Sequence, residues 1–383
     1  MMLILSSIIA FIGIYSLVLT TSNLLYFRSL SKHWEKHTSK ELVTIAVPAR
    51  NEEATIEACL RSLMAQSYAH LEILVLDDNS EDNTAAIVRK LEAEDSRLHL
   101  ITGRALQEGW RGKLWAMEQL FRQSNGTYLF FTDADTVHKQ DSIAYGMSLL
   151  SQRNAALLSG YPKQQTKSLG IGLLVSAMLF NPTLFVPFAL QERLQLPLFS
   201  MAIGQYMLLK KEALDAIGGF SSLCTEICDD VTLARAFARK GFKQMFAPMT
   251  DVVECEMFPT FKGAFSGLER SINGVVKRGL IGFLMILLIV IVLLALAVAP
   301  LLTLGLAILS FSNTAYLLPA LWLFLGSLTL WASWAWAAKR FAFSTPVAML
   351  GHVTIFLVVL MYLHGAYLRS TGRGFIWKGR VLP

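Results

Sequence analysis

The stretch Tyr128-Leu129-Phe130-Phe131-Thr132-Asp133-Ala134-Asp135-Thr136 sets two carboxylates, one residue apart, directly after a short apolar run. A run that stops so abruptly reads as a buried strand with Asp133 and Asp135 at its C-terminal end, where ligands gather in open α/β sheets. Hard carboxylate oxygens at that spacing suit a divalent cation, and such a cation usually keeps a phosphate among its ligands. Four other stretches carry comparable chemistry. Asp77-Asp78 closes the run Ile73–Leu76, where an acid can accept from a ribose hydroxyl or a base N–H; capping of the next helix by Asp78 or Ser80 is the alternative. The polar turn Val47-Pro48-Ala49-Arg50-Asn51-Glu52-Glu53 sits at the first strand-to-helix junction and offers Pro48, Arg50 and Glu52 as nucleotide contacts, with capping accounting for part of its polarity. Gly109-Trp110-Arg111-Gly112-Lys113 is a glycine-flanked basic loop ahead of a helix. Lys113 there can meet a diphosphate at a helix N-terminus, or the loop is simply a solvated turn. It is not a P-loop, because the spacing and the hydroxyl after Lys are missing. Asp229-Asp230 leads into the helical run Val231–Arg239. An anion at a helix N-terminus is stabilised and stays available as a base, with plain capping as the alternative. Acid pairs after successive strands of one domain are poor candidates for unconnected caps.

These groups need a scaffold, and the chain between Glu41 and Pro248 supplies one. The predicted strands are Val43–Val47, Ile73–Leu76, Leu98–Ile101, Tyr128–Phe131, Ala156–Leu158, Gln205–Leu209 and Gln244–Phe246, with helical patterns such as Glu53–Ala65 and Asn83–Ala93 between them. Such alternation predicts an α/β fold, a mainly parallel sheet with helices on both faces.

The rest of the chain is of another kind. Of its 383 residues 54% are hydrophobic and only 16% charged, and the mean hydropathy is +0.48, values of a membrane protein with a soluble part. Residues 1–27 read as an uncleaved transmembrane anchor, with Arg28, Lys32, Lys36 and Lys40 after it. That basic cluster places residues 28–278 in the cytoplasm. Within them, Ser168 to Leu190 carries no charge. As a straight span it would put Asp133 and Asp230 on opposite sides of the membrane, and Pro182 and Pro187 would break it, so an interfacial or re-entrant segment at about 168–190 is expected. Residues 279–368 hold three apolar segments, 280–309, 316–337 and 345–367, and 369–383 form a basic tail. Three spans would carry that tail outside, against its charge, and Pro300 allows the first segment to be bent or split. The net charge of +6 is clustered beside apolar segments and reads as membrane topology, not nucleic-acid binding. Cys59, Cys224, Cys228 and Cys255 fit no zinc or redox spacing and read as free thiols.

Taken in order, Val-Pro-Ala-Arg-Asn-Glu-Glu (47–53), Leu-Asp-Asp-Asn-Ser (76–80), Gly-Trp-Arg-Gly-Lys (109–113), Thr-Asp-Ala-Asp-Thr (132–136), Gly-Gln-Tyr-Met-Leu (204–208) and Cys-Asp-Asp-Val-Thr-Leu-Ala-Arg (228–235) resemble the family 2 glycosyltransferases of the GT-A fold over about residues 41–278. The Gly-Trp-x-Gly-Lys loop and the tail Gly374–Arg380 resemble a membrane-bound subset acting on carotenoid acids, hopanoids and ceramide-type lipids. The resemblance implies that Asp78, with the turn around Pro48, Arg50 and Glu52, holds a nucleoside, usually uridine. Lys113 would lie at the diphosphate. Asp133 and Asp135 would meet the ribose and a Mg²⁺ or Mn²⁺ ion. Asp230 would deprotonate the acceptor. The implied reaction is inverting transfer of one sugar from a nucleotide-sugar donor to a lipid acceptor at the bilayer. Processive members carry Gln-x-x-Arg-Trp, whereas Gly267-Leu268-Glu269-Arg270-Ser271-Ile272-Asn273 has no Trp. That favours single transfer and leaves Arg270 as a diphosphate contact or a membrane-facing structural residue. A processive polysaccharide synthase and a non-catalytic nucleotide-binding scaffold are the competing readings.

Overall fold

A computed structural model describes residues 1–31, 40–224, 229–274, 280–371, 375–377 and 380–382. Lys32, Lys36, Cys228, Lys277, Arg278, Arg373, Gly374, Lys378 and Gly379 lie outside the described residues. The chain forms two compact units: a sheet unit, Leu25–Gln165 with Val186–Met257, and a helical unit, Met1–Leu24 with Thr166–Phe185 and Phe258–Pro383.

In the sheet unit the strands are β1 (Val43–Ala49), β2 (Leu71–Asp77), β3 (Leu98–Thr102), β4 (Tyr128–Phe131), β5 (Thr136–His138), β6 (Leu157–Tyr161), β7 (Lys163–Gln164), β8 (Met207–Lys210), β9 (Gln244–Pro248) and β10 (Val253–Cys255). Seven of them form one sheet in the order β3-β2-β1-β4-β8-β6-β9. All its pairings are parallel except those of β8, which runs against both β4 and β6. Consecutive residues Leu129, Phe130 and Phe131 are all buried, so both faces of the sheet are covered, as a parallel sheet requires.

The chain runs from β1 to β2 and β3 on one side, then places β4 on the other side of β1. The strand order therefore reverses between β1 and β4, which opens a crevice beyond their carboxyl ends. The register widens it: β4 pairs with β1 only over Val43–Ala46, while β2 pairs as far as Ala49↔Asp77. Ala46 turns its carbonyl toward β4 and accepts from the Thr132 N–H at 3.3 Å. Pro48, two residues on, faces the same way beyond the end of β4, so its missing N–H costs no ladder bond. A second sheet, β5-β10-β7, stands under the turn that follows β4, with Cys255 opposite both Thr136 and Gln164.

Helix α1 (Met2–Ser31) opens the chain, and its last turns belong to the sheet unit. There Tyr26 Oη donates to Glu192 Oε2 at 2.8 Å and Phe27 packs on Phe188 at 5.4 Å between ring centres. The other helices of the sheet unit are α2 (Ile56–Met64), α3 (Thr84–Glu92), α4 (Gly112–Gln123), α5 (Ser142–Arg153), α7 (Phe188–Leu194), α8 (Lys211–Ala216) and α9 (Asp229–Arg239); α6 (Leu169–Val175) belongs to the helical unit.

The helical unit also contains α10 (Phe261–Gly274), α11 (Leu280–Ser310), α12 (Leu317–Arg340), α13 (Thr345–Met349) and α14 (Gly351–Ser370). Among the described residues four helices are long and apolar enough to cross a membrane: Met2–Leu30, Leu284–Ser310, Thr314–Arg340 and Gly351–Ser370. α11 is one helix through Pro300. The apolar segment after Ser168 is not a single helix. α6 passes into a 3₁₀ turn, then a π-helical turn over Asn181–Phe185 that contains Pro182. The side chains that hold this irregular backbone are buried: Asn23 Nδ2 donates to Pro182 O at 2.8 Å, and Thr354 Oγ1 donates to Leu173 O at 2.9 Å. Away from water such backbone must be satisfied by protein, and it is.

Where α1 meets α12, two glycines face each other. A Cβ on Gly326 would lie 2.7 Å from the Ile9 carbonyl oxygen and 2.8 Å from the Ala10 nitrogen, all of it backbone that cannot step aside, whereas Gly305 on α11 has nothing within 4 Å. Close approach through small residues is the usual basis of helix association in a bilayer. Gly326→Leu is therefore expected to lower stability by about 1–3 kcal/mol, the cost of overpacking. Gly305→Leu should leave it unchanged or raise it slightly. Thermal unfolding of the two variants in one detergent checks the contrast.

Candidate active site

Of the residues singled out by sequence, Pro48, Arg50, Glu52, Asp78, Asp133 and Asp135 fall at the carboxyl ends of β1, β2 and β4. The β1–α2 and β2–α3 loops are laced together: Asn51 N donates to Ser80 Oγ at 2.9 Å, Glu81 N to Asn51 Oδ1 at 2.8 Å, and Glu52 N to Thr84 Oγ1 at 2.8 Å. Asn51 and Asn79 adopt φ of 53° and 55°, a conformation that Asn tolerates through local side-chain bonding. Arg50 Nη1 donates to Asp78 O at 2.8 Å and stands 3.7 Å from the Asp78 carboxylate. α3 begins at Thr84 and Asp82 accepts from its N–H, so neither Asp78 nor Ser80 caps that helix. Asp78 is left buried at the rim, held against Arg50.

Lys113 lies in the first turn of α4, and its Nζ is 2.7 Å from Asp133 Oδ1. Gly204, from the turn before β8, lies against this pair: a Cβ there would be 2.9 Å from Lys113 Nζ and 3.6 Å from Asp133 Oδ2. The same residue's N–H donates to Asp230 Oδ2 at 3.1 Å, while Asp230 Oδ1 accepts from Val231 N at 2.7 Å at the start of α9. One glycine thus touches the Lys113–Asp133 pair and Asp230 together. Arg270 lies on α10 of the helical unit. A depression of about 660 Å³ at the opposite end of β4 and β8, lined by Glu41, Tyr128 and Lys210 among others, contains none of these acids.

The turn carrying Asp133 and Asp135 is fixed by residues that sequence reasoning missed. Thr132 Oγ1 donates to Gln205 O at 2.9 Å, Thr136 Oγ1 to Asp133 O at 2.7 Å, and His138 Nε2 lies 3.0 Å from both hydroxyls. Cys59 Sγ donates to Asp133 O at 3.7 Å. Thr136 and His138 alternate along β5, but three residues are too short a run to announce a strand. Burial alone drives the His138 imidazole down to about 3. Asp135 is shifted the other way, first by burial, then by the charges of Asp133 and Glu52; the Cys255 thiol and Lys113 pull back. A half-buried carboxylate with two acidic neighbours and one ammonium group lacks positive charge, and a divalent cation fits that deficit. Among the described residues no three His, Cys, Asp or Glu side chains gather to hold a metal. Asp133 and Asp135 would be the protein's own share of such a site.

Fold and site together define a class. Residues 44–218 match the model of the family described as Glycosyl transferase family 2; this part of the chain is a family 2 glycosyltransferase domain on a GT-A fold. Over 119 residues the chain is 34% identical to the UDP-Glc:α-D-GlcNAc-diphosphoundecaprenol β-1,3-glucosyltransferase WfgD of Escherichia coli, covering 31% of this chain and 45% of that protein. It is 30% identical over 123 residues to the putative teichuronic acid biosynthesis glycosyltransferase TuaG of Bacillus subtilis (strain 168), covering 32% and 47%. To the poly-β-1,6-N-acetyl-D-glucosamine synthase of Staphylococcus aureus (strain COL) it is 24% identical over 210 residues, covering 55% and 48%. The chain spans about half the length of the curated relatives it matches. A mannosyltransferase from Pyrobaculum calidifontis, solved with GDP-Man and Mn²⁺, shares the fold at 19% identity and a TM-score of 0.56, over 96% of this chain and 99% of that one. The family match ends before Asp230.

His138 gives the site a pH dependence of stability. Its native value lies below the ordinary 6.5, so below pH 6.5 the unfolded chain takes up a proton that the native state refuses until about pH 3. The His138 contribution to stability is complete above pH 6.5 and falls toward pH 3, by at most about 1.4 kcal/mol per pH unit. The raised Asp135 carboxyl works in the opposite sense, so the check is a difference: between pH 7 and pH 5 the unfolding midpoint of the protein should fall relative to that of His138→Gln. Equal slopes in the two proteins would contradict it.

Proposed function

We propose that the chain is a membrane-bound inverting glycosyltransferase that moves one sugar from a UDP-linked donor to a lipid acceptor, an isoprenoid, carotenoid or other glycolipid precursor. The observation that carries this reading is Gly204, which lies against the Lys113–Asp133 pair and bonds Asp230 through its N–H. A group that grips a leaving diphosphate and a group that takes a proton from the attacking oxygen must flank one sugar, and these groups stand one residue apart.

In this mechanism Asp78 holds the nucleoside with the turn of Pro48, Arg50 and Glu52, and Lys113 meets the diphosphate at the N-terminus of α4. Asp133 and Asp135 would hold a Mg²⁺ or Mn²⁺ ion, which would supply neutralisation of charge on the departing nucleoside diphosphate. The acidic crowding around Asp135 supports that assignment, and so does the Mn²⁺ of the archaeal mannosyltransferase. Asp230 removes the acceptor hydroxyl proton as that oxygen forms its bond to the anomeric carbon. The carbon–oxygen bond to the diphosphate breaks on the opposite face, so the configuration inverts. The backbone N–H of Gly204 holds the carboxylate in place for this step.

The lipid acceptor is supported by four helices able to cross a membrane and by WfgD, whose name specifies a diphosphoundecaprenol-linked acceptor. The basic residues after α1, with Lys339 and Arg340 at the end of α12, argue that the sheet unit faces the cytoplasm in a multi-pass arrangement in the cell membrane. A second reading, polymer synthesis, is favoured by the similarity to the poly-N-acetylglucosamine synthase. The missing Trp after Arg270 weighs against it.

Asp230→Asn keeps the shape and loses the base. Transfer to lipid should fall by about 10²–10⁴-fold, the usual worth of a general base, while UDP binding by calorimetry stays near wild type. Full activity in that variant would sink the assignment. Long polymer made by the purified protein from donor alone would replace single transfer by synthesis.

A further inference from the structure

Three buried polar side chains of the sheet unit have no part in the chemistry above: Gln164 on β7, Gln205 ahead of β8 and Cys255 on β10. They are joined in a line. Gln164 Nε2 donates to Gln205 Oε1 at 3.1 Å, Gln205 Nε2 donates to Cys255 Sγ at 2.8 Å, and Cys255 Sγ donates to Asp135 Oδ1 at 3.5 Å. The orientation of the two amides gives the line its direction. An amide nitrogen can only donate, and a carboxylate anion can only accept. The sulfur has already accepted, so its one hydrogen is left for Asp135. Every donor in the line therefore points toward the same carboxylate oxygen, and each bond polarises the next. The line is rigid at each member: Cys255 is registered against Thr136 and Gln164 by the small sheet, and the Gln205 carbonyl accepts from Thr132. Burying two amides and a thiol in this way is costly unless every link is kept.

We propose that Cys255, backed by Gln205 and Gln164, is a positioning residue that fixes one oxygen of Asp135 and thereby sets the affinity of the Asp133–Asp135 pair for a divalent cation. The inference rests on the metal assignment of the preceding section. Outer hydrogen-bond partners of metal-binding side chains typically govern affinity by about 10–100-fold. Here the outer partner is a thiol, which a hydroxyl can replace as a donor and a methyl group cannot.

The test is Mn²⁺ binding to the purified full-length protein in detergent, read from the electron paramagnetic resonance of free Mn²⁺ with no sugar nucleotide present. Cys255→Ala should weaken binding by about tenfold, and Cys255→Ser should restore most of the loss. In turnover the metal concentration for half-maximal rate should rise in Cys255→Ala with kcat largely kept. Wild-type affinity in Cys255→Ala, or a Ser variant as weak as the Ala variant, overturns the proposal, the latter because it makes size the cause. If Cys255→Ala does not fold, Gln164→Leu, two links from the carboxylate, decides: weaker Mn²⁺ binding supports the line and unchanged binding overturns it. A wild-type protein that binds no more Mn²⁺ than Asp135→Asn removes the metal assignment itself and leaves the transferase reading to stand on Asp230.

Discussion

Folding strips water from a carboxylate only where something else supplies compensation, and in this site Asp135 meets that constraint with two acids beside it. It is driven upward by burial and by Asp133 and Glu52, against one thiol and the ammonium group of Lys113. Much of the upper rim of the sheet serves this turn. β4 ends early against β1, so the two acids emerge into the crevice and not into a ladder. The three-stranded sheet and the Thr132–Thr136–His138 cluster then hold the turn from beneath. His138 can do this only because burial keeps it uncharged; a cation at that depth would compete for the same acids.

The large sheet was legible because its strands are continuous apolar runs, and such runs have few other uses in an α/β domain. Tyr128–Phe131 came out to the residue; the other runs stopped one to three residues before their strands' C-terminal ends, as at Asp77 and Ala49, and Ala156–Leu158 and Gln205–Leu209 began one and two residues early. The reversed direction of β8 was not legible, since Met207–Leu209 is equally apolar read either way. Nor were β5, β7 and β10, where Lys163-Gln164 or Val253-Glu254-Cys255 is too short to show a period. Those silent strands position Asp135. The acids themselves announced their places, while the thiol and the two amides that brace them lie far apart in sequence and follow no spacing rule.

In the helical unit the apolar lengths told the long helices, except that the segment 345–367 breaks between α13 and α14, and Pro182 told the break after Ser168; what packs against what was hidden. Gly13 and Gly326 are two glycines among 25, and only the helix contact singles them out. Buried Asn23 looks like a flaw in a membrane helix until its amide is found on the carbonyl of Pro182. A broken helix and a buried amide are each unfavourable in a bilayer, and together they satisfy one another.

Three acids of one chemical type are given three kinds of partner. Asp133 has an ammonium group, which suits a group that shares an anionic ligand with a cation. Asp135 has a neutral thiol, which orders the carboxylate without cancelling its charge, so its demand for a cation persists. Asp230 accepts from the backbone N–H groups of Gly204 and Val231, which orient the carboxylate proposed as the base. The three acids thus differ in these neighbours, and the neighbours come from α4, β10 and the turn before β8, which only the folded chain brings together.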